Sequence, residues 1–133
     1  MDSSALVKLI REEAESAEIV TWLNDRVGHE MVSSRLAEVE VVRALRRESP
    51  LALGNVPSVM ARLAWIEIST EVRNVAASID HPLLRTLDAI HVATAKVAAA
   101  EDDPLHAFVT YDRRLFEVAA GFGLNPVCPG QRP

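Results

Sequence analysis

Three aspartates and one glutamate are the residues of this chain whose types and positions could do chemistry. Asp2 stands in the opening MDSSALVKLI, Asp88 in LDAIHVATA, Asp112 directly after FVTY, and the glutamate is Glu38 or Glu40 in SRLAEVEVVRA. Carboxylates drawn together from distant parts of a chain hold hard divalent ions such as Mg²⁺. An ion held in this way generates a nucleophile from water and stabilises developing negative charge.

Each acid also has a structural reading. Asp2, or Ser3 beside it, is a natural helix N-cap ahead of ALVKLI, and Asp112 a natural N-cap ahead of RRLFEVAAG, because a short oxygen-bearing side chain satisfies free N–H groups of the first turn. Asp88 is harder to explain locally. The segment 87–100 is apolar nearly all round, with Asp88, His91, Val92, Ala95 and Ala99 on one face and Leu87, Ile90, Val97 and Ala98 on the other. Such a helix is expected to be buried, taking Asp88 in with it. An unpartnered buried carboxylate is costly, so Asp88 requires a mate, either Arg85 or a shared metal. His91 faces the same way, and the simplest expectation for it is a half-buried ring bonded to backbone, since hard ions prefer oxygen. Periodicity does not decide between Glu38 and Glu40.

The elements that must position these acids alternate between helix and short strand. Helices are expected over 4–10, 14–27 (stopped by Gly28), 35–48 (capped by Ser34), around 58–64, over 70–79, 87–100 (capped by Thr86) and 112–121 (ended by Gly121). Strands are expected at 29–34, 65–69, 106–111 and 125–129, and SPLALGNVP (49–57), with two prolines and a glycine, reads as a loop. This alternation implies an α/β fold with a mostly parallel sheet between helices, whose ligands bind at the carboxyl ends of the strands. No repeat, low-complexity tract or long linker divides the chain, so residues 1–133 are expected to form a single domain.

Bulk properties narrow the function classes. With 133 residues, 49% hydrophobic and 25% charged, the chain has the size and apolar content of one ordinary domain. A formal charge of -5 argues against a general nucleic-acid coat but not against a nuclease with an acidic metal site. The basic bunches RALRR (43–47) and YDRRL (111–115) read first as solvated helix faces. The lone Cys128 has no partner for a disulfide and no zinc-like spacing, and the apolar run ALVKLI is short and broken by Lys8. A soluble, cytoplasmic protein without a membrane segment is expected.

Four stretches taken together carry a family resemblance. DSSALVK, SRLAEVEVVRA, LDAIHVATA and FVTYDRRL followed by AAGFGLNPVCPG resemble the successive motifs of PIN-domain ribonucleases, in particular the VapC-type toxins of bacterial toxin–antitoxin pairs. The likeness runs through essentially the whole chain, in order. It implies a PIN-like three-layer α/β/α sandwich, an acidic quartet of Asp2, Glu40, Asp88 and Asp112, and supporting hydroxyls from Ser4 and Thr110. Glu40 rather than Glu38 follows because the family's glutamate is the one followed by V-x-R-A. The resemblance further implies Mg²⁺- or Mn²⁺-dependent cleavage of RNA, a homodimer, and a cognate antitoxin as partner. Asp2 and Asp88 are expected to hold the principal ion, with Glu40 and Asp112 completing the pocket through water or a second ion.

The chain departs from the family at its beginning. Members carry a few apolar residues ahead of the first aspartate as the central strand, whereas here only Met1 precedes Asp2, so the first strand is truncated as the sequence stands. The expectation is a true start upstream, because strand pairing is what holds such a carboxylate in place. The rival reading is a catalytically silent PIN-like module that binds RNA or a protein. A receiver-type domain would need paired acids after its first strand and a late lysine, and a D-x-D phosphatase would not have Ser3 and Ser4 after Asp2.

Overall fold

The computed structural model describes residues 1–100, 102 and 104–132. Helix α1 (Ser3–Ile10) begins where Asp2, in extended backbone, accepts a hydrogen bond from the Ala5 N–H, and it buries Ala5, Leu6 and Ile10. Helix α2 (Ser16–Asn24) buries Ile19. Strand β1 (Met31–Ser34) leads into α3 (Leu36–Glu48), which buries Ala37, Val41 and Leu45, one residue per turn on a single stripe. A 3₁₀ segment (Pro50–Asn55) and α4 (Val56–Met60) connect to strand β2 (Leu63–Ile66). Then follow α5 (Thr70–Ser78), α6 (Thr86–Ala99), strand β3 (Phe108–Val109), α7 (Arg113–Gly121) and strand β4 (Pro126–Val127).

Several boundaries differ from the sequence expectation, for identifiable reasons. The stretch 49–57 is not a loop: Pro50 opens the 3₁₀ segment and Pro57 lies in the first turn of α4, positions where a missing N–H costs nothing. The strand expected at 65–69 lies at Leu63–Ile66, because Leu63 pairs in register with Met31. Helix α2 closes at Asn24 with Asp25 as its C-cap, so Gly28 does not stop it. Arg85, not Thr86, occupies the N-cap position of α6, and Thr86 is its first helical residue. The strands expected at 106–111 and 125–129 pair only over Phe108–Val109 and Pro126–Val127.

All strand pairing among the described residues is parallel, β1 with β2 and β3 with β4, in two separate two-stranded ladders. One core cluster packs α1, α3 and α4 against Leu63 of β2, and a second packs α6 and α7 against Phe108 of β3. Ala5, Ile19 and Val109 tie α1 and α2 to β3. This is the helix-covered, parallel-stranded architecture expected of a three-layer α/β/α sandwich, with one correction: the central sheet is split.

Met1 and Asp2 stand in the split. The terminal amine of Met1 donates to the Val32 carbonyl at 2.7 Å, and Ser33 Oγ donates to the Met1 carbonyl at 2.8 Å. On the other side, the Asp2 N–H donates to the Val109 carbonyl at 3.1 Å. Two residues therefore bridge β1 and β3 as one rung of a strand would. Beyond Met1 lies a cleft of about 1120 Å³, bordered by Trp22, Val32, Ile66, Leu105 and Val109. Burial lowers the Met1 amine from its ordinary 8.0 to about 6, against the opposing pull of the Asp2 carboxylate. Among the described residues, no helix is long and apolar enough to cross a membrane.

Candidate active site

Asp2 is 3% exposed, and both of its carboxylate oxygens are held by protein donors. Oδ1 accepts from Ser4 Oγ at 2.7 Å and from the Ala5 N–H at 3.1 Å. Oδ2 accepts from Thr110 Oγ1 at 2.6 Å. The two hydroxyls also serve as acceptors: the Tyr111 N–H donates to Ser4 Oγ at 2.8 Å, and the Asp112 N–H to Thr110 Oγ1 at 3.1 Å. Ser4 and Thr110 thus pin Asp2 at the start of α1 to the backbone that follows β3. Asp2 is an N-cap as well as a member of this network, so the two readings of it are compatible.

Asp112 sits at the carboxyl end of β3 and caps α7. Its Oδ1 accepts from the Arg114 and Leu115 N–H groups at 2.9 and 3.2 Å. Its Oδ2 lies 3.9 Å from the Arg114 guanidinium. The cap uses Oδ1 alone, and Oδ2 accepts no hydrogen bond from a described residue.

Glu40 and Glu38 have different surroundings. Glu38 is exposed and pairs with Arg35, whereas Glu40 is half-buried on the side of α3 that meets Ser3 and His91. Ser3 Oγ donates to Glu40 Oε1 at 2.7 Å, and His91 Nε2 lies 2.5 Å from the same oxygen. Burial alone would raise the Glu40 pKa; the hydrogen bond and charge of His91 and the bond from Ser3 outweigh it and hold the carboxyl below its ordinary value. His91 is 5% exposed and is bonded to a carboxylate, not to backbone as expected.

Asp88 corrects a second expectation. Its side chain is 17% exposed, and its partner is Arg85, whose Nε lies 3.4 Å from Oδ2 and whose side chain is mostly exposed. The burial of α6 is confined to its middle, from Ala89 through Ala95, while Leu87 in the first turn is largely open. The ion pair with Arg85 is therefore a surface contact of small energetic weight; among the described residues Asp88 makes no hydrogen bond to Asp2, Glu40 or Asp112, and it lies on α6 one turn before His91.

The donor set is made of oxygen, which suits a hard cation and not a soft one. Among the described residues, no three His, Cys, Asp or Glu side chains gather closely enough to enclose an ion by themselves. That arrangement fits a cation that keeps most of its water and takes only one or two carboxylates directly, the habit of Mg²⁺. Ser3 and His91 are the two contributors that the sequence reading did not assign. The only local signal for His91 was its spacing, three residues after Asp88 on the same face.

A PIN domain family model matches residues 1–121. Ribonuclease VapC35 of Mycobacterium tuberculosis is 50% identical over 131 residues, covering 98% of this chain and 96% of the relative. The chain belongs to the PIN-domain family, among its VapC-type members. Two further relatives from the same organism share less sequence over a similar span. Ribonuclease VapC46 is 36% identical, over 97% of this chain and 95% of its own length, and Ribonuclease VapC47 is 35% identical, over 98% and 96%. The PIN match takes in the acids at positions 2, 40, 88 and 112, together with Ser3, Ser4, His91 and Thr110.

Proposed function

We propose that this PIN domain is a metal-dependent endoribonuclease, the toxin of a toxin–antitoxin pair, with Asp2, Glu40, Asp88 and Asp112 as its acidic site and Ser4 and Thr110 as supporting hydroxyls. The observation that carries the reading is one hydrogen-bonded network that joins Asp2, near the chain start, to the Asp112 backbone through Thr110, beside a Glu40 anchored by Ser3 and His91. The curated relatives, all named ribonucleases, support the substrate class.

Bound Mg²⁺ or Mn²⁺ would supply a Lewis acid for the phosphoryl oxygen and a water nucleophile at neutral pH. Asp2 and Asp88 would hold the ion, and Glu40 and Asp112 would orient its water. Thr110 and Ser4 fix the Asp2 carboxylate, so its position is set before substrate arrives. Arg85 and Arg114, beside Asp88 and Asp112, place positive charge where an RNA backbone would pass the acids, offsetting the repulsion of an acidic pocket for phosphate. A small antitoxin protein is the proposed partner, a homodimer the proposed assembly, and the cytoplasm the proposed compartment.

The decisive experiment compares cleavage of a mixed RNA pool by the protein with Mg²⁺, with EDTA, and by Asp88→Asn. Cleavage that requires Mg²⁺ and is lost in Asp88→Asn is the expected result. Undiminished cleavage by the variant would remove Asp88 from the site. RNA binding without cleavage under any condition would identify the silent binding module instead.

A further inference from the structure

We propose that His91 is a positioning residue for Glu40: with Ser3, it clamps one carboxylate oxygen so that the other is presented to the cation site. This rests on the placing of Glu40 among the metal-holding acids.

The geometry is specific. His91 Nε2 is 2.5 Å and Ser3 Oγ 2.7 Å from the same atom, Glu40 Oε1, and the two donors are themselves 3.4 Å apart. A carboxylate is an acceptor only, so the His91 nitrogen that faces it carries the proton. Among the described residues, no protein group donates to Glu40 Oε2. One oxygen is thus doubly anchored and the other is left for a water or an ion.

The anchors come from separate parts of the fold. Ser3 is the first residue of α1 and directly follows Asp2, while His91 lies on α6, one turn after Asp88. Glu40, on α3, is consequently fixed relative to two of the other acids at once. A long flexible glutamate chain would otherwise sample several rotamers, and each would aim Oε2 elsewhere. His91 itself cannot wander, because its ring is 5% exposed and its neighbours Val92, Ala93 and Ala95 are buried in α6. Groups that hold a ligand's orientation in this way typically contribute about 10–100-fold in metal affinity.

The test is Mn²⁺ binding by calorimetry on the full chain, with Mn²⁺ alone as the probe. His91→Leu removes the donor and is expected to weaken Mn²⁺ binding about tenfold or more. His91→Gln carries its amide N–H to the place of Nε2 and is expected to restore most of the affinity. In a Glu40→Gln background, His91→Leu should cost nothing further, since its effect is exerted through that carboxylate. Wild-type affinity in His91→Leu, or equal loss in both backgrounds, would overturn the proposal while leaving Glu40 in the site. Wild-type affinity in Glu40→Gln would overturn both the proposal and the placing of Glu40. Should His91→Leu fail to fold, His91→Asn takes its place, being polar but too short to reach Glu40.

Discussion

Thr110 Oγ1 donates to Asp2 Oδ2 across 2.6 Å, joining residues 108 positions apart in the chain. The hydroxyl also accepts from the Asp112 N–H, and Thr110 is fully buried, so no water replaces either bond. Thr110→Val keeps the shape of the side chain and removes both interactions. It is expected to lower the unfolding free energy by about 1–3 kcal/mol, the usual consequence of leaving buried polar groups unpaired. Thr110→Ser should stay close to wild type. Urea unfolding checks the pair, and coincident midpoints for Thr110→Val and wild type would show that Asp2 is held by other means.

In the proposed site, Asp88 matters for metal and little for folding. Its pairing with Arg85 is long and its partner mostly exposed, so Asp88→Asn should melt within a degree or two of wild type in EDTA. A ligand that binds only the native state, at free concentration L, raises stability by RT ln(1 + L/Kd), about 2.7 kcal/mol at one hundred times Kd. Mg²⁺ should therefore raise the wild-type melting temperature more than that of Asp88→Asn or Asp2→Asn. Equal shifts in all three proteins would count against a site shared by these carboxylates.

Legibility in the sequence followed the range of the interactions. The helices that bury Ala37, Val41 and Leu45, or Leu115, Val118 and Ala119, announce themselves by spacing and caps, because the signal is complete within a few turns. The segment 49–57 misled because proline marks a loop only where an N–H is needed, and here both prolines open helical turns. Asp2 and Asp112 were recognisable as N-caps, and Asp112 also as the carboxylate that follows a strand. Glu40 was not separable from Glu38 by periodicity, since the difference between them is made by Ser3, 37 residues away, and His91, 51 residues away. The bridging role of Met1 and Asp2 depends on carbonyls of β1 and β3 that no local pattern reveals.

The buried Met1 amine makes stability depend on pH in a predictable direction. Its pKa is about 6 folded and 8.0 ordinarily, so between these values the unfolded chain binds more protons and stability rises with pH. The contribution is fully present above pH 8 and is lost as pH falls through 6, with a span on the order of 2–3 kcal/mol. Histidines titrate in the same window, so the informative measurement is a difference. The chain beginning at a free Met1 should show a steeper rise in urea midpoint from pH 6 to pH 8 than the same chain acetylated at Met1. Parallel profiles would mean that the amine is solvated in solution.

The cleft ahead of Met1 leads to a prediction about added residues. Val32 and Val109 flank it, each bonded to the Met1–Asp2 rung by one carbonyl, and beyond that rung the facing edges of β1 and β3 have no described partner. Apolar groups of Trp22, Ile66 and Leu105 line the space. A Val-Ile-Val extension ahead of Met1 would convert the buried amine to an amide N–H, continue both ladders and bury β-branched side chains. Each such side chain contributes about 1.5–3 kcal/mol when fully buried, against about 1–2 kcal/mol for ordering each residue's backbone. The extended protein should melt several degrees above the 133-residue chain, whereas a Gly-Gly-Ser extension, which offers the amide without the side chains, should recover only part of that gain. If both extensions melt alike, the benefit is the removal of the titratable amine alone; if the valine-rich one melts lower, the cleft does not accept a strand.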